Sequence, residues 1–262
     1  MSEVLLRRDE RDVAWLLLNR ARVRNAFDAA LVAQLADAAR TLAADPPRAV
    51  VLAGDGPSFS AGADLRWMRA MRQRSHADNL ADARATAAMF HALDTLPCAL
   101  VGRVHGHALG GGVGLVAVCD VAVAADDTEF GFSEVQLGIA PAVISPFVVR
   151  KIGRSQARAL FVTGERFDAA RAERIGLVHS TVAAAYLDDA VEAVLRRLLT
   201  AGPRAVAAAK GLVELAAAPL DEALETTPRV IADLRSGAEG QEGLTAFLER
   251  RRPRWAADGG AP

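Results

Sequence analysis

Val104-His-Gly-His-Ala-Leu-Gly-Gly-Gly-Val-Gly-Leu-Val-Ala-Val-Cys-Asp120 is the stretch on which the fold turns. The residues leading into it, Cys98-Ala-Leu-Val-Gly-Arg-Val104, form a short apolar, β-branched run that predicts a buried strand. Val113 to Cys119 is apolar on every face and begins at a triple glycine, which predicts a buried helix. Glycines at a helix start leave backbone N–H groups uncovered and let a ligand approach the main chain. Those first amides carry partial positive charge and suit an anion or a developing oxyanion. The other reading of the same glycines is close packing of two backbones.

Working outward, Val4–Arg7 and Val13–Leu18 read as a hairpin. Asn25 is placed to cap a helix from about Phe27 to Ala44, which Asp45-Pro46-Pro47 stops. Arg48–Ala53 is the next buried strand. It empties into the glycine-rich loop Gly54-Asp-Gly-Pro-Ser-Phe-Ser-Ala-Gly-Ala-Asp64-Leu65, at a strand end where α/β proteins favour ligand sites. Residues 66–95 read as helical, with Arg66, Arg69, Arg72 and Arg74 crowding the first part; a solvated face or attraction for a phosphate explains that cluster. Asp120–Ala124 and Thr128–Gly131 read as strands. Helices are expected at Ile144–Ile152, with Pro146 in the first turn, at Gln156–Thr163 and at Ala169–Arg174. Leu177–Val182 reads as a last strand, and from Ala184 to about Arg252 the pattern is helical.

The 262 residues suffice for one large domain with a substantial core. Hydrophobic residues make up 52% and charged residues 24%, a globular composition. A net charge of −1 gives no basic surplus for nucleic acid or an anionic membrane. Of 31 basic residues only Lys151 and Lys210 are lysine. Cys98 and Cys119 lie in apolar runs and read as buried free thiols of a reducing compartment. The first ten residues have mixed charge and no apolar core, unlike a signal peptide. No uncharged apolar run reaches the roughly 18–20 residues of a membrane span. A cytoplasmic location is the expectation.

Several motifs are set aside. Gly112-Val-Gly114-Leu-Val-Ala117 formally fits a dinucleotide fingerprint. However, His105–Leu109 intervenes between it and the strand, and no βαβ unit of the right spacing surrounds it. No P-loop is present, and Ser58 and Ser60 lack the flanking glycines of a nucleophile elbow. His105 and His107 have no acidic ligand nearby and read as packing or local hydrogen-bonding residues; no metal site is expected.

Taken in order, Asn19-Arg20, Asn25-Ala26-Phe27, Ser60-Ala-Gly-Ala-Asp64-Leu, His105-Gly-x-Ala-x-Gly-Gly-Gly, Cys119-Asp120, Glu134, Leu137-Gly138, Pro141, Thr163-Gly164, Gly176-Leu177-Val178 and Glu242-Gly243-Leu-Thr-Ala-Phe247 resemble the enoyl-CoA hydratase/isomerase (crotonase) family across nearly the whole chain. The resemblance implies an α/β fold, the crotonase (ClpP-like) spiral of ββα units. It places a core for acyl-CoA binding and catalysis at residues 1–200 and a helical trimerisation region at residues 201–262. It implies an acyl-CoA thioester substrate, with coenzyme A as part of the substrate and no separate cofactor, and a homotrimer or homohexamer. By resemblance, the backbone N–H groups of Ala63 and Gly111 form an oxyanion hole for the enolate of the thioester. Glu134 matches the second of two catalytic glutamates, whereas the first falls on Gly114, which cannot titrate. Substrate or CoA contacts carry over to Ala26, Ala61, Asp64, Leu65, Arg66, Gly110 and Pro141, with Arg250 a further candidate. Asp64 also reads as a helix cap behind Ala63.

Two clues to the reaction pull apart. One acid suits a double-bond isomerase that moves a proton between carbons. The segment Ala142-Val-Ile-Ser145-Pro146, together with Gly112-Val-Gly114, resembles the branch hydrating methylglutaconyl-CoA or carboxygeranoyl-CoA. Hydration of a branched 2-enoyl-CoA is the leading expectation. The alternatives are a Δ3–Δ2 enoyl-CoA isomerase, a non-catalytic CoA-binding protein and a dinucleotide-dependent oxidoreductase.

Overall fold

The computed structural model describes residues 2–256. The expected hairpin forms: β1 (Val4–Arg8) pairs antiparallel with β2 (Val13–Leu18). Asp9 closes its turn by accepting from the N–H groups of Arg11 and Val13. Four parallel neighbours extend the sheet: β3 (Ala49–Gly54), β4 (Ala99–Val104), β6 (Val121–Ala125) and β9 (Ser180–Val182). Strand alternation splits the core in two. Val50, Leu52, Leu100, Ala122 and Ala124 join the larger apolar cluster, with Leu31, Leu35 and Leu42 of α1 (Ala29–Ala44). Ala49, Val51, Val101, Val123 and Ala125 face the other way, onto Leu187, Val191, Leu195 and Leu199 of α7 (Leu187–Thr200). That four-residue spacing is one helical stripe, and it explains why the strands read as continuously apolar: both faces are covered.

A second sheet is present, of which the sequence shows only the strand expected at Thr128–Gly131. It consists of β5 (His107–Leu109), β7 (Glu129–Gly131) and β8 (Arg166–Asp168), in that order. Three-residue strands are too short to show a period. Successive turns of the chain thus give one strand to each sheet, β4 then β5 and β6 then β7, as a spiral of ββα units requires. α4 (Gly111–Ala117) follows β5 directly, and all but its first residue are buried.

Two expectations are corrected. Asn25 caps no helix; α1 starts at Ala29 and its cap is Asp28, which accepts from the Leu31 N–H. Asn25 is instead fully buried with φ 54° and ties three backbone segments. It accepts from the Arg20 N–H and donates to the carbonyls of Asp55 and Ser58, each at 2.8 Å. Its replacement by Ala takes the donor from the buried Ser58 carbonyl and loses the bonds to the half-buried Arg20 and the exposed Asp55; an unmet buried group costs about 1–3 kcal/mol and an ordinary hydrogen bond about 1 kcal/mol. Urea unfolding of Asn25→Ala is therefore expected to show a loss of about 2–4 kcal/mol. Second, residues 66–95 are not one helix. α2 (Leu65–Met71) ends, and α3 (His76–Asp94) restarts at Ser75 with a reciprocal Ser75–Asp78 capping box. The helices expected at Ile144–Ile152 and Gln156–Thr163 both form, as the two arms of α5 (Ser145–Thr163), separated at the non-helical Gly153 (φ 75°). α6 (Ala169–Arg174) lies where expected.

The C-terminal helices are α8 (Pro203–Ala216), α9 (Leu220–Ser236) and α10 (Ala238–Leu248). They bury few of their own side chains and leave Leu220, Phe247 and Leu248 at 72%, 81% and 80% exposure. The last six residues of the expected 201–262 region lie outside the described residues. No helix among the described residues is long and apolar enough to cross a membrane. Cys98 and Cys119 are buried and free, and burial pushes their thiols up to about 11 and about 12.

Candidate active site

Two loops that lie far apart in sequence are stitched together by backbone hydrogen bonds. Phe59 N–H donates to the His105 carbonyl, Ser60 N–H to that of His107, and Leu109 N–H to that of Ser60, at 2.9–3.0 Å. This parallel bridge between Ser60 and Ala108 brings Ala63 and Gly111 to one place. The contact is close: a Cβ on Gly112 would stand 2.6 Å from the Ser60 carbonyl oxygen, and one on Gly62 3.0 Å from that of Leu109. Gly62 also has φ +87°, so the turn that presents Ala63 needs glycine twice over.

On either side of the two loop amides the neighbours are engaged. Asp64 N–H donates to Phe27 O, Gly62 N–H to Ser60 Oγ and Gly110 N–H to Gly131 O. Among the described residues the N–H groups of Ala63 and Gly111 donate to no protein acceptor. They are two free backbone donors on facing loops. The first loop is held from behind. Asp64 is 6% exposed, caps α2 by accepting from Arg66 and Trp67, and takes Arg20 Nη2 at 3.3 Å. Its reading as a cap holds. Arg20 also pairs with Glu3 and Asp28, so one guanidinium ties both ends of the segment to the hairpin.

Glu134 sits over this junction on a 3-10 turn, Ser133–Leu137. Its Oε1 is 3.0 Å from where a Cβ on Gly110 would be, so a side chain there would press on the carboxyl, and φ +49° at Gly110 also favours glycine. Glu134 is half-buried, and its Oε2 is buried with no hydrogen-bond partner. Burial raises its pKa above the ordinary carboxyl value; a hydrogen bond from its own backbone N–H pulls weakly the other way. No charged neighbour among the described residues bears on it. A carboxyl left short of partners in an apolar setting is poised for proton transfer.

Gly114 provides nothing of the kind. A Cβ there would lie 2.4 Å from Ile144 Cγ2 and 2.9 Å from the Phe90 ring, so the space of a side chain is filled by apolar atoms. Gly114→Glu is expected to overpack this wall and bury an unpaired carboxyl. That costs at least about 3 kcal/mol in urea unfolding and brings no gain in activity. Adding Ile144→Ala should restore part of the stability.

The other expected residues divide. Ala26 is buried and Ala61 half-buried, and both join the site: Ala61 N–H donates to Arg24 O and Phe27 N–H to Gly62 O. The Phe27 ring lies 3.2 Å from the Cβ position of Gly111. Leu65 (70% exposed) and Arg66 stand on the outer face of α2, beside Ala63. Pro141 is buried in the turn that leads to Ile144. Arg250 ends α10 at φ 55°, and among the described residues no hydrogen bond or ion pair joins it to the site. His105 and His107 hydrogen-bond across to the other loop, to Gly56 O at 2.8 Å and Ser58 Oγ at 3.1 Å, rather than only locally. Sequence reading missed Ser60, whose backbone is the bridge, and the Ile144–Phe90 wall. The only signal for that wall was the glycine at 114 itself.

The family profile described as Enoyl-CoA hydratase/isomerase matches residues 8–258. The chain is 32% identical over 256 residues to the 2,3-dehydroadipyl-CoA hydratase of Escherichia coli, covering 97% of this chain and 98% of that one. A solved enoyl-CoA hydratase of Mycobacterium smegmatis is 36% identical with a TM-score of 0.92, covering 97% and 99%. AtuE of Pseudomonas aeruginosa is 40% identical with a TM-score of 0.93, at the same coverage. A fold, a profile and relatives that span the full length agree: this chain is an enzyme of the enoyl-CoA hydratase/isomerase family, with the crotonase fold.

Proposed function

We propose that the protein hydrates a 2-enoyl-CoA thioester, with the thioester oxygen held between Ala63 N–H and Gly111 N–H and with Glu134 as the sole acid–base group. The observation that carries this reading is the lone, desolvated Glu134 carboxyl beside two unengaged backbone donors. As water attacks the β-carbon, Glu134 takes one of its protons, and the double-bond electrons move to the thioester oxygen. The enolate then collapses, and the α-carbon takes the proton back from Glu134. One water is added and the enzyme is restored. Preorganised donors aimed at developing charge contribute about 10²–10³ in rate each.

Ala26, Ala61, Asp64, Leu65, Arg66, Gly110 and Pro141 form the proposed surroundings of the substrate, with Arg66 toward the CoA phosphates. The segment 142–146, with Gly112-Val-Gly114, supports a branched acyl group of the methylglutaconyl-CoA or carboxygeranoyl-CoA type through its resemblance to that branch. The exposed apolar faces of α8–α10 support a homotrimer or homohexamer built through residues 201–262; light scattering should give three or six times the chain mass.

A second reading is favoured by the apolar filling at Gly114, which leaves no second acid to share the water. Glu134 alone can move a proton from the α- to the γ-carbon of a 3-enoyl-CoA. Mass-resolved assays on 2-enoyl-CoA, 3-enoyl-CoA and 3-methylglutaconyl-CoA separate the two readings. A product heavier by one water supports hydration, and a shifted double bond at unchanged mass supports isomerisation. Binding without turnover of any of the three would point to a CoA-binding protein.

Because the base must be deprotonated, the acid limb of kcat/KM should follow Glu134. Its pKa is raised, so activity is expected to decline with falling pH before an ordinary carboxyl, at about 4.3, would titrate. A pH–rate profile that stays flat down to that value would remove Glu134 from the role.

A further inference from the structure

On the side of the sheet where β4 begins, away from the Ala63–Gly111 junction at its far end, a second cavity of about 680 Å³ opens between the end of α3, the end of α4, α5 and α8. Its walls include Pro97, Val118, Phe147, Leu198, Val206 and Val213. Both lysines of the chain line it.

They differ in what they meet. Lys210 Nζ is neutralised by Asp120 Oδ2 at 2.9 Å. Lys151 Nζ donates to the Cys119 carbonyl at 2.6 Å and makes no ion pair among the described residues. It is a half-buried amine held by a carbonyl, in a cavity whose apolar walls are interrupted by the charged groups Asp94, Asp120, Arg150 and Glu214. We propose that Lys151 is a covalent acylation site for acyl-CoA thioesters, the cavity receiving the acyl chain.

The reaction balances without a catalyst from elsewhere. The neutral amine attacks the thioester carbonyl, the carbon–sulfur bond breaks, an amide forms, and the amine proton leaves with coenzyme A as its thiol. Burial holds the Lys151 ammonium below the ordinary lysine value, which enlarges the free-amine fraction. The product also suits the site better than the reactant. An amide N–H still donates to Cys119 O, while the partly desolvated charge disappears. The acyl chain covers Phe147, Val206 and their neighbours.

The inference rests on the proposed function only in that the protein meets acyl-CoA. The test therefore uses hexanoyl-CoA, which has no double bond to hydrate. The full-length protein is incubated with it, digested at acidic residues and mapped by mass. Lys210 and an unstructured peptide with a blocked N-terminus and one free lysine serve as references. Lys210 is tied up in its ion pair with Asp120, whereas Lys151 has none and its ammonium is disfavoured by burial. Lys151 is accordingly expected to acylate faster than either reference. Lys151→Arg, which keeps a donor for Cys119 O, should abolish the fast phase seen in intact mass. Glu134→Gln should leave acylation unchanged even where it stops turnover. A Lys151 rate no greater than that of Lys210 or of the peptide would overturn the proposal.

Discussion

Replacing Glu134 by Gln is expected to lower kcat about 10²–10⁴-fold, the usual contribution of a positioned acid–base group. KM should change little, because an amide fills the same space over Gly110. The loss should lie toward the high end of that range. With Gly114 walled off by Ile144 and Phe90, no second carboxyl is placed to take over the proton. Stability should move the opposite way. A carboxyl whose pKa is raised by folding binds its proton more tightly in the folded state, so its contribution is greatest below the unfolded pKa and is lost as pH rises through the folded one. At neutral pH the wild-type protein therefore carries a desolvated charge that Gln lacks. Thermal unfolding at pH 7 should give Glu134→Gln the higher Tm, and the gap should close near pH 4. An inactive variant with a lowered Tm at pH 7 would mean that Glu134 holds the fold rather than the reaction.

Gly112→Ala is expected to be nearly as damaging, through the backbone. The added methyl would meet the Ser60 carbonyl oxygen at 2.6 Å and the Ser60 Cβ at 3.0 Å. Neither is the free end of a flexible side chain, so the two loops must part. Overpacking of this kind costs about 1–3 kcal/mol, and a shift of about 1 Å in a catalytic donor costs on the order of 10² in rate. Because Ala63 hangs from the Ser60 loop and Gly111 starts α4, the separation falls directly on the two free N–H groups. The expected signature is a kcat drop of about 10²-fold in a protein that still folds, read by steady-state kinetics beside urea unfolding. Gly211→Ala is the matching control. It sits in α8 with nothing within 4 Å of the new methyl, and should stabilise by up to about 1 kcal/mol without touching the rate.

Much of the architecture could be read along the chain because its causes are local. The strands β1–β4 and β6 announce themselves as apolar runs, and α1 and α7 carry one apolar stripe each. The triple glycine marks the start of α4 and the Gly54–Leu65 loop the end of a strand. Ordered along the chain, these features carried the family resemblance, and with it the positions of Ala63, Gly111 and Glu134.

Other features exist only once distant residues meet. The strands of the second sheet are three residues long, below the length at which periodicity registers; β7 falls in the run read at Thr128–Gly131, whereas β5 and β8 become strands only by pairing with it. Asn25 looks like a helix cap because Asn has that local preference, yet its three hydrogen bonds reach Arg20, Asp55 and Ser58, and tertiary satisfaction of buried backbone groups outweighs the weak local tendency. That Gly114 is glycine is plain from the sequence. That its space is already taken by Ile144 and Phe90, so that no carboxyl can stand there beside Glu134, is a matter of steric filling between segments. The raised pKa of Glu134 has the same origin: sequence determines which group can titrate, and desolvation by the surrounding fold determines where it does so.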